Sequence, residues 1–83
     1  MSFISISLNI FERKFLLYIA SNHNEITLNH RDISLDVVKA LKSLESKGAV
    51  SKVLIIGSPN SYIYKLTSIG TNLVDLIKER SND

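Results

Sequence analysis

The stretch Ser34-Leu35-Asp36-Val37-Val38-Lys39-Ala40-Leu41-Lys42-Ser43-Leu44-Glu45-Ser46-Lys47-Gly48 reads as a helix with both ends marked. Ser34 offers a hydroxyl acceptor where the first N–H groups of a helix lack partners. Gly48 stands where a helix often ends on a residue in the left-handed region. Between them Val37, Leu41 and Leu44 recur at i, i+4 and i+7, with Ala40 alongside, which makes one apolar stripe. Leu35, Asp36, Val38, Lys39, Lys42, Ser43 and Ser46 are left for the opposite side.

Downstream, the run from Val50 to Ile56 is apolar and β-branched, and Tyr62 to Leu66 alternates. The segment Gly57-Ser58-Pro59-Asn60-Ser61 between them predicts a turn, so the pair reads as a β-hairpin. Thr67 is then placed to cap a last helix carrying Ile69, Leu73, Leu76 and Ile77, and the polar tail 81–83 reads as frayed.

Upstream of the central helix, Asn9-Ile10-Phe11-Glu12 has the pattern of a capping box. A helix is expected from there to about Ala20 or Ser21, with Phe11, Phe15, Tyr18 and Ile19 as its apolar stripe and Leu16 beside it. Asn22-His23-Asn24 ends it with turn formers. Ile26 to Leu28 reads as a short strand, and 29–33 leaves room for about one helical turn. Residues 1–8 alternate Ile4, Ile6 and Leu8 with serines and read as an extended arm. Helices on one side of a small antiparallel sheet make the predicted class α+β, in a single domain over 1–83.

Composition narrows the function classes. The chain has no cysteine, which excludes disulfides and thiolate-ligated metal and fits a cytoplasmic, reducing compartment. No apolar run approaches the ~18 residues of a membrane span, and no basic-then-apolar leader is expected at the start. Ten Lys and Arg against eight Asp and Glu give a net charge of only +2. His23 and His30 have no carboxylate cluster around them, so a metal site is not expected, and His30 reads as a surface residue or one beside phosphate. Phosphate-binding loops, nucleophile elbows and zinc-protease motifs are all missing, so no enzyme and no cofactor is expected.

Three motifs in order resemble winged helix-turn-helix regulators of the MarR-like and PadR-like kind. Val37, Lys39, Leu41, Leu44, Glu45, Lys47, Gly48 and Val50 match their recognition helix and its exit. Tyr64-Lys65-Leu66-Thr67-Ser68-Ile69-Gly70 is similar to the segment leading from wing to last helix. Phe11 to Ile19 is similar to the first core helix, so the resemblance spans about residues 9–78.

The resemblance implies a winged helix-turn-helix fold: three helices, a small antiparallel sheet with a hairpin wing, and a C-terminal helix. It implies a transcriptional regulator that binds double-stranded DNA, with helix 34–48 in the major groove and the 50–66 hairpin on the backbone. The residues it points to are Arg31, Ser34, Leu35, Asp36, Val38, Lys39, Lys42, Ser43, Lys52, Ser58, Asn60 and Lys65. A homodimer through the N-terminal arm and last helix is expected, since Val74, Ile77 and the Ile4/Ile6/Leu8 set exceed what a small core needs. Two readings compete with it. Lys39, Lys42 and Lys47 also fit a merely solvated face, and the same fold serves as a protein-interaction module without DNA contact. Tyr62 and Tyr64 read as hairpin packing, and Phe11, Phe15 and Tyr18 as core.

Overall fold

The computed structural model describes residues 8–81. Its elements are α1 (Ile10–Ser21), β1 (Glu25–Asn29), α2 (Leu35–Ser46), β2 (Val50–Leu54), β3 (Ser61–Leu66) and α3 (Ser68–Ser81). The class is α+β, with three helices and a three-stranded antiparallel sheet in the order β1-β3-β2. Of the expected arm, only Leu8 lies within the described residues, and it packs against the core.

Local signals set most boundaries. Asn9 Oδ1 accepts from Glu12 N at 2.8 Å while Glu12 Oε1 accepts from Asn9 N at 2.9 Å, the reciprocal capping box. Ser34 Oγ accepts from Val37 N at 3.3 Å and starts α2. His23 and Asn24 turn the chain from α1 into β1 with φ of 62° and 66°, a region that Asn and His enter more readily than most residues.

Two elements differ from expectation. The residues 29–33 form a turn, not a helical turn: Asn29 Oδ1 accepts from Arg31 N at 2.8 Å and Asn29 O from Asp32 N at 3.0 Å. The short side chain of Asn29 supplies the acceptor that a helix would have drawn from its own backbone. Strand β1 is accordingly longer than the Ile26–Leu28 core, because every residue from Glu25 to Asn29 has a partner on β3. The hairpin is shorter on the β2 side: the strand ends at Leu54, Ile55 N makes a last bond to Ser61 O at 3.1 Å, and Ile56 is 97% exposed.

The helices cover one face of the sheet. Register places Ile26, Val50 and Tyr64 on that face, and all are buried. They meet Leu16 and Ile19 of α1, Leu41 and Leu44 of α2, and Val74 of α3. The four leucine and isoleucine side chains from α1 and α2 are completely buried, each contributing roughly 1.5–3 kcal/mol. The apolar stripe of α1 is rotated from the expected one. Glu12, Leu16 and Ile19 face inward, Phe15 is half-buried, and Phe11 and Tyr18 lie exposed. The two phenylalanine rings stack at 6.3 Å and Tyr18 meets Phe15 edge-on at 6.4 Å. Val74 is also core, and Ile77 packs against it, so neither is the surplus apolar surface expected of α3. Leu76 and Ile69 remain, 53% and 43% exposed.

The α2 C-terminus is closed by backbone geometry. Gly48 has φ 78°, Gly48 N donates to Glu45 O at 3.0 Å, and Ala49 N donates to Leu44 O at 2.9 Å. The start of α3 locks onto this turn. The Thr67 hydroxyl bonds Gly48 O, Thr67 N bonds Ala49 O at 3.1 Å, and Gly70 N donates to Thr67 Oγ1 at 3.1 Å. Contact is so close that a Cβ on Gly70 would lie 2.1 Å from Ala49 O. Gly70→Ala is therefore expected to destabilise by about 2–4 kcal/mol, although alanine alone favours a helix by up to ~1 kcal/mol. Urea unfolding checks it, and the exposed Asn72→Ala in the same helix, which gains a few tenths of a kcal/mol from propensity, is the control.

Candidate nucleic-acid interface

At about 100° per residue, α2 divides into an inner face, two flanks and an outer ridge. The inner face is Val37, Ala40, Leu41 and Leu44. The outer ridge is Leu35, Lys39, Lys42 and Ser46, all exposed, with Leu35 at 68%. One flank meets α1 and the other meets the sheet.

The α1 flank is organised by a carboxylate. Glu12 is the sole buried charged residue among the described residues, 1% exposed. Lys47 Nζ donates to its two oxygens at 2.8 and 3.0 Å. Burial pushes the Glu12 carboxyl up. Hydrogen bonds from Lys47, Ser43 and the Asn9 backbone, with the Lys47 charge, outweigh this and hold it below the usual carboxylate range. Glu12 also sits at the positive end of α1 and Lys47 at the negative end of α2. Ser43 and Lys47 thus belong to an internal tie. Ser43 does not stand with the outward set, and Lys47 is no part of a solvated lysine face.

The sheet flank joins Lys42 and Glu45 of α2 to His30, Lys52, Tyr62 and Tyr64. His30 Nε2 lies 2.5 Å from Tyr64 Oη, and the His30 ring lies 4.5 Å from that of Tyr62. Lys52 Nζ stands 4.9 Å over the Tyr62 ring and 3.7 Å from Glu45 Oε1. Burial pushes the His30 imidazole below its usual range, and the charges of Lys52 and Lys42 push it further. Burial raises the Tyr64 phenol to about 12, assisted by the Glu45 charge and by Tyr62. Asn60 holds this corner from the hairpin loop: its φ is 66° and its carbonyl accepts from His30 N at 2.8 Å.

The expected contact residues therefore fall into separate places. Leu35, Lys39 and Lys42 share the ridge, with Ser34 exposed at its start and Arg31 exposed on the turn before it. Val38 is half-buried on the sheet flank, and Asp36 is exposed on the α1 flank. Lys52 lies on the helix-covered sheet face. Lys65 alternates to the opposite face, where it pairs with Glu25 at 3.7 Å, so it is not grouped with α2. Ser58 is exposed in the hairpin loop. His30, expected as a surface or phosphate-adjacent residue, is half-buried, and its contact with Tyr64, 34 positions away, was not legible.

Among the described residues, no group of three His, Cys, Asp or Glu side chains is placed to hold a metal ion. No helix of those residues is long and apolar enough to cross a membrane. Comparison of the chain with protein families, curated proteins and solved structures finds no match.

The buried tie fixes a pH response. A carboxyl lowered on folding contributes stability above its unfolded pKa of 4.5 that is lost as pH falls through the lower folded value. Unfolding free energy should thus fall from about pH 5 downward, and Glu12→Gln should flatten that fall. Glu12→Ala should cost about 2–4 kcal/mol at neutral pH, below the fully buried case because Lys47 keeps 29% of its side-chain exposure. Chemical denaturation across pH checks both.

Proposed function

We propose that this chain is a winged-helix transcriptional regulator that binds double-stranded DNA. In this reading α2 enters the major groove with its outer ridge, and the β2–β3 hairpin lies along the backbone as the wing. One observation carries the reading: Leu35, Lys39 and Lys42 stand on an unpacked ridge of α2 while Lys52 and His30 adjoin its sheet flank. Lysines from the helix and the hairpin thus adjoin His30 of the preceding turn. The sheet order β1-β3-β2, with α2 entering the hairpin, is compatible with the same arrangement.

The departures adjust the docking. The turn 30–33 stands where a helix-turn-helix has its first helix, so Arg31 on that turn takes the role of backbone contact. Lys39 and Lys42 contact phosphate or guanine, and Leu35 and Val38 offer apolar contact to thymine methyl groups. Lys65 and Ser43 drop out of the contact set, for the reasons of placement given above. A short duplex should bind with an affinity that falls steeply with salt. Lys39→Glu with Lys42→Glu should weaken binding at least about tenfold and reduce the salt slope by about 2. Fluorescence anisotropy at two salt concentrations measures both, and unchanged binding by the double variant would defeat the reading.

A protein-interaction module is the second reading. The exposed Phe11 and Tyr18 on α1, with Ile10 at 70%, favour it. Stoichiometric capture of a partner that Phe11→Ser abolishes, with no duplex binding at low salt, would select it. Regulators of this kind pair two half-sites, so a homodimer is part of the first reading. Leu76, at 53%, is the more exposed of two exposed apolar side chains among the described residues of α3, with Ile69 at 43%, and is its candidate contact. Sedimentation should show a dimer that Leu76→Glu shifts toward monomer, with the far-ultraviolet circular dichroism unchanged.

A further inference from the structure

We propose that His30, Lys42 and Lys52 form one phosphate-binding position at the junction of α2 and the hairpin, with the buried Tyr64 orienting His30, and that a DNA backbone phosphate seated there draws a proton onto His30. The inference rests on the DNA-binding reading and adds a proton-linked contact to it.

The argument starts from Tyr64. Its ring is 1% exposed at the centre of the sheet, and its hydroxyl meets His30 Nε2 at 2.5 Å. No other hydrogen-bond partner of that hydroxyl occurs among the described residues. A buried phenol must place its proton on an acceptor, since an unsatisfied donor costs about 1–3 kcal/mol. The phenol holds its proton up to about pH 12, so at neutral pH it donates to Nε2. Nε2 is then the bare nitrogen, and the ring proton sits on Nδ1. The Tyr62 ring against His30 and the Asn60 carbonyl on its backbone N–H hold the imidazole in place. The imidazole is thus held in one orientation rather than free to rotate.

The charges around it give the linkage. Lys52 of β2 and Lys42 of α2 both act on His30 and oppose its protonation. From α2, Glu45 faces the group through Lys52 and Tyr64. Tyr62 and Tyr64 face it from β3, and Arg31 and Asp32 follow it on the turn. A second proton has to enter at Nε2, which reverses the Tyr64 hydrogen bond and strands the phenolic proton. Burial, the two lysines and the Tyr64 bond thus all favour the neutral His30 in the free protein. A phosphate between Lys42 and Lys52 neutralises the repulsion and supplies an anion for the imidazolium, so the same group is more basic in the complex. Binding that raises a pKa takes up protons, and affinity rises as pH falls between the bound and free values.

The test is duplex binding by anisotropy at constant ionic strength, from about pH 8 to about pH 5.5, around the histidine range. The wild-type chain should bind at least about threefold more tightly at the acid end. His30→Gln should flatten the profile while keeping measurable binding, which also subtracts any contribution of His23. Tyr64→Phe, which keeps the ring and removes the donor to Nε2, should move the midpoint to higher pH. Nitrogen chemical shifts of His30 should report the Nδ1–H form in the free protein and a raised pKa with duplex. Inorganic phosphate at matched phosphate concentration should raise it much less, because it lacks the simultaneous contacts on α2. An equal rise with inorganic phosphate overturns the proposal in favour of a free-anion site. Identical pH profiles for wild type and His30→Gln overturn the proposal and leave the DNA reading intact. Absence of duplex binding at every pH overturns both.

Discussion

The orientation of α2 depends on the contact between its C-terminal turn and the start of α3. Gly48 turns the chain out of the helix at φ 78°, and the Gly48 and Ala49 carbonyls accept from Thr67. Gly70 then lets α3 approach Ala49 closer than any side chain would permit. These contacts span residues 48–70 and enclose the hairpin, so the hairpin's base is clamped where α2 ends. In a chain with so thin a core, close-packed backbone supplies rigidity that apolar volume alone does not.

Two polar ties then fix the rotation of α2 about its own axis. On one flank Lys47 and Ser43 hold Glu12; on the other Lys52 links Glu45 to Tyr62, beside the His30–Tyr64 pair. A helix rotated by one residue, about 100°, loses both sets at once. The ridge carrying Leu35, Lys39 and Lys42 faces outward as a consequence of that double restraint, not only of the Val37/Leu41/Leu44 stripe. Removing Lys47 takes from the buried Glu12 its cationic partner, which weights the restraint beyond its count of bonds.

Much of this was legible in the chain itself. The caps at Asn9, Ser34 and Thr67, the stop at Gly48 and the hairpin all rest on local chemistry, and local chemistry is what periodicity and cap rules read. The missing turn of helix at 29–33 was not legible. Asn29 competes for the backbone N–H groups there, and only its place at the end of a paired strand shows which way the competition goes. The α1 stripe was misplaced for a related reason. Glu12 was assigned to the cap, and nothing in its spacing showed that Lys47, 35 positions on, would draw it inward in place of Phe11. Lys52 and Lys65 looked equivalent until strand alternation put them on opposite faces. Three-dimensional partners of high sequence separation decide exactly those positions where polar and apolar residues trade places.

The net charge of +2 now has a different meaning. Lys47, Lys52 and Lys65 each stand beside a glutamate carboxylate, at 2.8, 3.7 and 3.7 Å. The Lys47 and Lys65 pairs cancel in the far field and act as structure, while Lys52 stays at the junction of α2 and the hairpin, where its charge still acts on His30. The charge on the outer ridge of α2 is different, because Lys39 and Lys42 lie a turn apart with no matching acid on the ridge itself. Screening confines such a field to about 8–10 Å at physiological salt, so the field just outside the ridge is set by that local pair rather than by the sum over the chain. A nearly neutral composition is thus compatible with a basic contact surface, provided the acids are spent internally. The placement of Glu12 and Glu25 against Lys47 and Lys65, off the ridge, meets that condition.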